Sequence, residues 1–397
     1  MSFPPSLNFP RASLLWSILS QPTAPFREGR VIHTVLEALQ AGKVPHFLDP
    51  VGNIVVGVSS RVAYAKLLAK KTAEPIRLFI AHMDHPGFHG MKWRSLTELE
   101  AKWHGGSPTA HCDGATVWMS RTGGLDFGSG TLTETKLLES GRAIDSAVIR
   151  FSEPQDTSVE PTTIYGAFKF RAPHWMEDQL IYTHVADDLI GVFAILNLAL
   201  DHFSKPRAGE PLFLGLLTRA EEVGFIGAIG HFELGWIQKR KRDAFCVSLE
   251  TSRTLPGADI GKGPVVRLGD RMTMFSAGHV RIFSEVAQQV LPEKHQRRVM
   301  DGGSCEATAA TVYGLPTVGI SVPLGNYHNQ SFQGGPDSRG DMGPAPEFVH
   351  ASDMMGMIEL CRALLKPKLP WSKPFAAQAK AFKKSYQGYK ALLVSGP

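Results

Sequence analysis

Residues 76–88, IRLFIAHMDHPGF, hold an apolar run, Leu78 to Ala81, that stops on His82, with Asp84 two residues later and Gly87 loosening the chain beyond. An apolar stretch with no polar interruption marks a strand covered on both faces, as in the middle of a parallel sheet. Side chains alternate along a strand, so His82 and Asp84 point the same way at its end. That arrangement suits a metal-binding imidazole with an orienting acid. It also suits a solvated strand end, and the stretch alone leaves both readings open.

On either side of this strand the chain alternates helices and strands. Before it, residues 11–42 read as helical, and HFLDPVGNIVVGV (46–58) reads as strand, turn, strand. After about residue 173 come DDLIGVFAILNLALDHF (helix), PLFLGLLTRAEE (buried strand), GFIGAIGHFELGWIQKR (helix) and AFCVSLE (strand). SEVAQQVLPEKH and EATAATVYG (helices), PTVGISVPL (strand) and SDMMGMIELCRALL (helix) follow. Between 96 and 172 the texture differs: short alternating segments separated by Gly, Ser, Asp and Pro predict five or six strands in a small barrel or sandwich. The expected organisation is a three-layer α/β/α domain of the phosphorylase/hydrolase type from residues 1–95 and 173–370, interrupted by an all-β domain at 96–172.

Composition excludes several classes. With 43% hydrophobic and 20% charged residues and no apolar run long enough to span a bilayer, the chain reads as soluble and globular. ASLLWSILSQP (12–22) reads as a helix start rather than a signal peptide. Cys112, Cys246, Cys305 and Cys361 are scattered, which fits reduced thiols in a cytoplasm and neither a disulfide framework nor a zinc finger. The net charge of +5 is uneven: beyond Glu359 there are seven lysines, Arg362 and no acid, a charge of +8, leaving −3 (5 − 8) for the rest. The basic character belongs to this C-terminal segment, which ends in the tail of residues 371–397, and not to a nucleic-acid groove, so no nucleic-acid partner is expected. In that tail Phe375, Ala379, Phe382, Tyr386 and Tyr389 recur at near-heptad spacing between lysines, predicting an amphipathic helix. The main expectation is that it packs on its own domain or on a partner subunit. A membrane-surface or nucleic-acid role is the lesser one.

Four further stretches repeat the layout of the first. Asp187 and Asp188 precede a helix, where they serve as N-cap or as ligands. Glu221 and Glu222 end a buried strand side by side, a repulsive pair unless a cation or solvent relieves it. Glu250 ends another apolar strand, and His328 sits in the loop after Gly325. The carboxyl ends of parallel strands share one edge, where ligands bind. Two histidines and three carboxylates gathered there would suit Zn²⁺, Mn²⁺ or Co²⁺, and one bridging carboxylate would allow two ions.

AHMDHPGF, ADDLIG, TRAEEVGFIGA and YHN, in this order, resemble the co-catalytic metallopeptidases of the M42 family and, more loosely, the M28 and M20 zinc peptidases. The early DPVGNIVVG turn and GLPTVGISVPLGNYHN add to the likeness, which covers residues 1 to about 366. It implies a cytoplasmic, homo-oligomeric aminopeptidase acting on peptides with two divalent ions, zinc first and cobalt or manganese as alternatives. It implies that His82 and Glu250 hold one ion, Glu222 and His328 the other, and Asp187 both. Glu221 would be the general base, and Asp84 would fix the tautomer of His82. An amidohydrolase acting on N-acylated small molecules, or a catalytically silent binding relative, would carry the same residues. The sequence departs from the family pattern at Leu189, His85, Glu250, Gly325-Asn326 and GGSCEATAA. There Cys305 and Glu306 read either as pocket lining or as a buried thiol and a helix-cap acid.

Overall fold

A computed structural model describes residues 9–72, 74–123, 125–205 and 211–394. Its frame is an eleven-stranded sheet. Four strands at the centre run parallel: Phe213–Thr218, Ile76–His82, Ala244–Arg253 and Thr317–Gly325, in that spatial order. The hairpin His46–Leu48/Ile54–Val56 adds antiparallel to one side. Glu347–His350, Leu180–Thr183 and His174–Glu177 add antiparallel to the other.

The central strands are apolar throughout because both faces are covered. Phe79, Ala81, Leu217, Val247 and Ile320 face a core that includes the helices Ala12–Leu19, Gly29–Ala41, Leu189–Phe203, Ala277–Val290 and Ala351–Leu364. Their alternates Leu78, Ile80, Leu216 and Cys246 face the opposite core, built on Arg61–Ala69, Ile226–Glu233 and Glu306–Val312. Period-two alternation thus divides one hydrophobic run between two cores, giving the α/β/α layering. At full burial each such Leu, Ile or Phe contributes roughly 1.5–3 kcal/mol.

The all-β insertion is a closed six-stranded antiparallel barrel in the order Gly87–Ser95, Glu98–His104, Ile144–Arg150, Leu125–Leu137, Thr116–Arg121, Ile164–Phe168. It begins earlier than the boundary at residue 96 that the sequence suggests. Gly87–Ser95 is its first strand, pairing with Glu98–His104 and with Ile164–Phe168. Two register shifts, between Gly90 and Lys92 and between Trp93 and Ser95, break the alternation that would have marked it. Closure depends on small residues: a Cβ on Gly166 would lie 2.0 Å from the Trp118 carbonyl oxygen. The next strand, His174–Glu177, already belongs to the large sheet.

Past the closing helix, Trp371 is buried against Phe245, with ring centroids 4.4 Å apart. The helix Ala376–Val394 follows. It forms where the sequence predicts it. Arg281 donates to the Pro374 carbonyl and faces Phe375 and Gln378, and from Ala379 to Leu393 every side chain is exposed. The last three residues of the tail lie outside the described residues. Among the described residues no helix is long and apolar enough to cross a membrane.

Candidate metal centre

The parallel strands all end at one rim, and the chain delivers its polar residues there. His82 is the last residue of its strand, paired in register with Thr218 of the neighbouring strand. Three residues past Thr218 comes Glu221. Glu250 sits within Ala244–Arg253, which runs three residues beyond it, pairing with Thr317–Gly325. Asp187 lies between Leu180–Thr183 and the Leu189–Phe203 helix, whose N-cap is Asp188, accepting from the Gly191 N–H at 3.2 Å. Only glycine fits there, because a Cβ at 191 would lie 2.2 Å from the Asp188 carboxylate.

These residues converge. His82 Nε2 is 3.5 Å from Asp187 Oδ1 and 4.0 Å from Glu221 Oε2. His328 Nε2 is 3.7 Å from Asp187 Oδ2 and 3.1 Å from Glu222 Oε2. Two sets of ligand atoms, His82–Asp187–Glu250 and Asp187–Glu222–His328, each lie within 4.8 Å of one another, and Asp187 is common to both. A third set, His82–Glu221–Glu222, overlaps them. So the five residues expected as ligands and the expected base share one place.

Their surroundings are short of partners. Glu222 Oε1 and Glu250 Oε1 are buried and make no hydrogen bond. Burial lifts the Glu221, Glu222 and Glu250 carboxyls above their ordinary range, with neighbouring carboxylates adding to the effect and the histidines opposing it. Burial works against the charge of His82, but Glu221, Asp187 and Asp84 push its pKa well above the usual value. A donor set of two imidazoles and several carboxylates, buried, mutually repulsive and partly unpaired, fits divalent cations such as zinc, manganese or cobalt.

Asp84 does more than the sequence suggests. His82 Nδ1 faces the Asp84 main-chain carbonyl at 3.1 Å, and the carboxylate is 3.6 Å away. That carboxylate instead accepts the Glu221 and Glu222 N–H groups at 2.9 and 3.2 Å, fixing the turn that presents both glutamates. Ala220, just before them, is left-handed at φ 52°, as is His328 at 56°, so two ligand-bearing loops hold strained backbone.

Other supports are not evident from sequence. Glu347, fully buried on an antiparallel strand, accepts the Ala186 and Asp187 N–H groups at 2.7 and 3.1 Å and the His328 N–H at 2.9 Å. His85 stands where the family pattern has Glu. Its Nδ1 faces the Asp187 carbonyl at 2.8 Å and its Nε2 the Asn329 amide oxygen at 3.1 Å. Thr251 donates to Asp187 Oδ1 at 3.1 Å. From the barrel, Gly106 lies against His328, where a Cβ would come within 1.8 Å of its Nδ1. The carboxylate at a position flanked by apolar residues in PEFVH is the one signal that could have flagged Glu347. Cys305 and Glu306 turn out buried, Cys305 against Asp270 and Glu306 beneath Thr218. Burial pushes the Glu306 carboxyl up to about 7.

The architecture has known counterparts. An aminopeptidase from the archaeon Desulfurococcus kamchatkensis shares 18% identity, with 90% of this chain and 95% of that one covered at a TM-score of 0.70. The Pyrococcus horikoshii TET1 peptidase, which assembles into a tetrahedron or a large octahedral shell, shares 20%, covering 89% and 99% at 0.67. A TET aminopeptidase from a marine-sediment Thaumarchaeota archaeon shares 18%, covering 92% and 99% at 0.70. No curated protein sequence matches the chain. The sequence profile described as M42 glutamyl aminopeptidase matches residues 65–333, well over half of the chain, with the barrel and the metal rim both inside. This protein belongs to the M42 glutamyl aminopeptidase family.

Proposed function

We propose that this protein is a two-metal aminopeptidase that removes the N-terminal residue of peptides. The observation that carries the reading is the pair of ligand sets sharing Asp187. His82, Asp187 and Glu250 would hold one cation, and Asp187, Glu222 and His328 the other. Bound there, divalent cations would acidify water and polarise the scissile carbonyl. The chain's own residues do the rest. Glu221, its carboxyl raised by burial and by like-charged neighbours, takes the proton of the attacking water and hands it to the leaving amine. Asp84 keeps Glu221 and Glu222 aimed by holding their N–H groups. His85 and Glu347 keep the Asp187 main chain in place.

Assembly into a homo-oligomer fits the shells formed by the TET1 relative. A cytoplasmic setting fits four buried free cysteines. Zinc is the first expectation for the metal, with cobalt and manganese as alternatives.

The test combines elemental analysis of the purified protein with a panel of aminoacyl-p-nitroanilides and N-acyl amino acids. About two divalent ions per chain and hydrolysis of free-amine substrates are expected. Glu221→Gln should lower kcat by about 10²–10⁴-fold while the metal stays bound. Turnover of N-acyl substrates alone would redirect the reading to an amidohydrolase, and a protein that binds no metal would end it.

A further inference from the structure

The C-terminal helix carries two features that the metal centre leaves unused, a run of aromatic residues at helical spacing and an excess of lysines. It is anchored at its start. Trp371 is buried, and Arg281 meets the Pro374 carbonyl and the Phe375 ring. Beyond that anchor Ala376–Val394 runs for 19 residues, about 28 Å at 1.5 Å per residue.

Its sides differ. Phe382, Tyr386, Tyr389 and Leu393 follow one another at steps of four, three and four residues. At about 100° per residue this gathers them into a stripe about 60° wide. All four are half or more exposed. Lys380, Lys383, Lys384 and Lys390 fall on the neighbouring arc, from about 80° to about 200° around the helix from Phe382. No acid follows Glu359 in the chain to neutralise them locally.

An occupant of this face has to answer both features. A second copy of the helix would cover the stripe but set one group of lysines against another, and aromatic rings replace the aliphatic side chains that suit a two-helix seam. A nucleic-acid duplex would neutralise the lysines and leave the stripe in water. An anionic bilayer surface answers both. Its headgroups attract the lysines, whose alkyl stems lie along apolar surface. Its interface suits Phe and Leu, and suits Tyr best of all, with an apolar ring and a wet hydroxyl. The helix is not long and apolar enough to cross a membrane, so it would lie on the surface.

We propose that Ala376–Val394 is a membrane-surface helix, which lies along an anionic phospholipid leaflet with Phe382, Tyr386, Tyr389 and Leu393 sunk below the headgroups and the lysines paired with them. Helix and surface reinforce each other, because burying the stripe supplies the packing that a lone amphipathic helix lacks. The proposal uses no residue of the metal centre and stands apart from the aminopeptidase reading.

The test sediments the full chain with vesicles of phosphatidylcholine alone and of equal parts phosphatidylcholine and phosphatidylglycerol. Binding is expected to the mixed vesicles only. It should weaken by about tenfold or more as sodium chloride rises from about 0.01 M to about 1 M and the Debye length shrinks from about 30 Å to about 3 Å. Lys383→Gln combined with Lys384→Gln should weaken it about tenfold, and Phe382→Ser combined with Tyr386→Ser by a similar factor. Truncation after Phe375 should abolish it while the urea midpoint and metal content hold. Mixed vesicles that bound the truncated protein equally would overturn the proposal. So would binding that ignored the Phe382 and Tyr386 changes, since the lysines would then adsorb without any inserted stripe. A full chain that ignored both kinds of vesicle would also overturn it. If that chain retained poly-uridine or self-associated through the same tail, the face would belong to nucleic acid or to a second copy.

Discussion

The sheet rim and the C-terminal helix invert the usual rule about which residues go inside. At the rim, Asp84, Asp187, Glu221, Glu250 and His82 are all less than 10% exposed. Along the helix, Phe382 and Tyr389 are 71% and 66% exposed, among lysines with no acid near them in the chain. The difference lies in what faces each group. The Asp84 carboxylate holds two main-chain N–H groups, Asp187 is met by Thr251 and lies beside two histidines, and the loops that carry Asp187, Glu221, Glu222 and His328 are each tied to a second element. The helix meets its own domain at its first turn, through Arg281, and Phe382, Tyr386 and Tyr389 of its aromatic stripe are exposed. Burial follows partners more closely than it follows residue type.

The hardest blow to this contrast is the removal of a rim partner. Glu347→Ala would strand three N–H groups, those of Ala186, Asp187 and His328. At about 1–3 kcal/mol for each buried donor left unpaired, the loss should be roughly 3–6 kcal/mol, reduced where the His328 amide reaches water. Urea unfolding of the variant measures it, and elemental analysis should show metal content falling in parallel. Unchanged stability would mean that the loops are held by something other than Glu347.

A smaller effect sharpens the comparison through pH. Burial, assisted by His85, lowers His184 to about 4. Unfolded, its pKa returns to about 6.5, so the unfolded state takes up the proton first as pH falls. The stability His184 contributes is therefore complete above about pH 6.5 and is lost on the way down to 4. Between pH 7.5 and 5 this amounts to about 2 kcal/mol. His184→Leu should lose that part of the pH dependence, read as the difference between the two proteins' urea midpoints at each pH. Rim carboxylates with raised pKa tilt the metal-free protein in the opposite direction, and taking the difference cancels them.

What could be read from the sequence follows from the range of the interactions involved. The central strands announce themselves because two-sided burial makes them apolar without a break, and His82, Glu221 and His328 stand out at their ends. The barrel was legible as alternation, but its first strand was not, because bulges disrupt the period directly after the His82 motif. Glu347 and His85 carry only faint local marks, the apolar flanks of PEFVH and a departure from the family pattern. Each is a polar residue whose partners lie far off in sequence, so their roles appear only once the sheet brings those partners together. For the tail, periodicity correctly predicts a helix but says nothing of what covers it.

Truncation after Phe375 probes the other half of the comparison and should have the smallest effect. It keeps Trp371 in its pocket against Phe245 and His279 and removes the helix whose side chains are exposed from Ala379 onward. With mostly exposed surface lost, stability should change by less than about 0.5 kcal/mol, as for surface substitutions away from special features. The urea midpoint at two protein concentrations checks this. A concentration-dependent drop would show that the aromatic stripe is buried against a neighbouring copy in solution, so that the helix, like the rim, is ordered by what it faces.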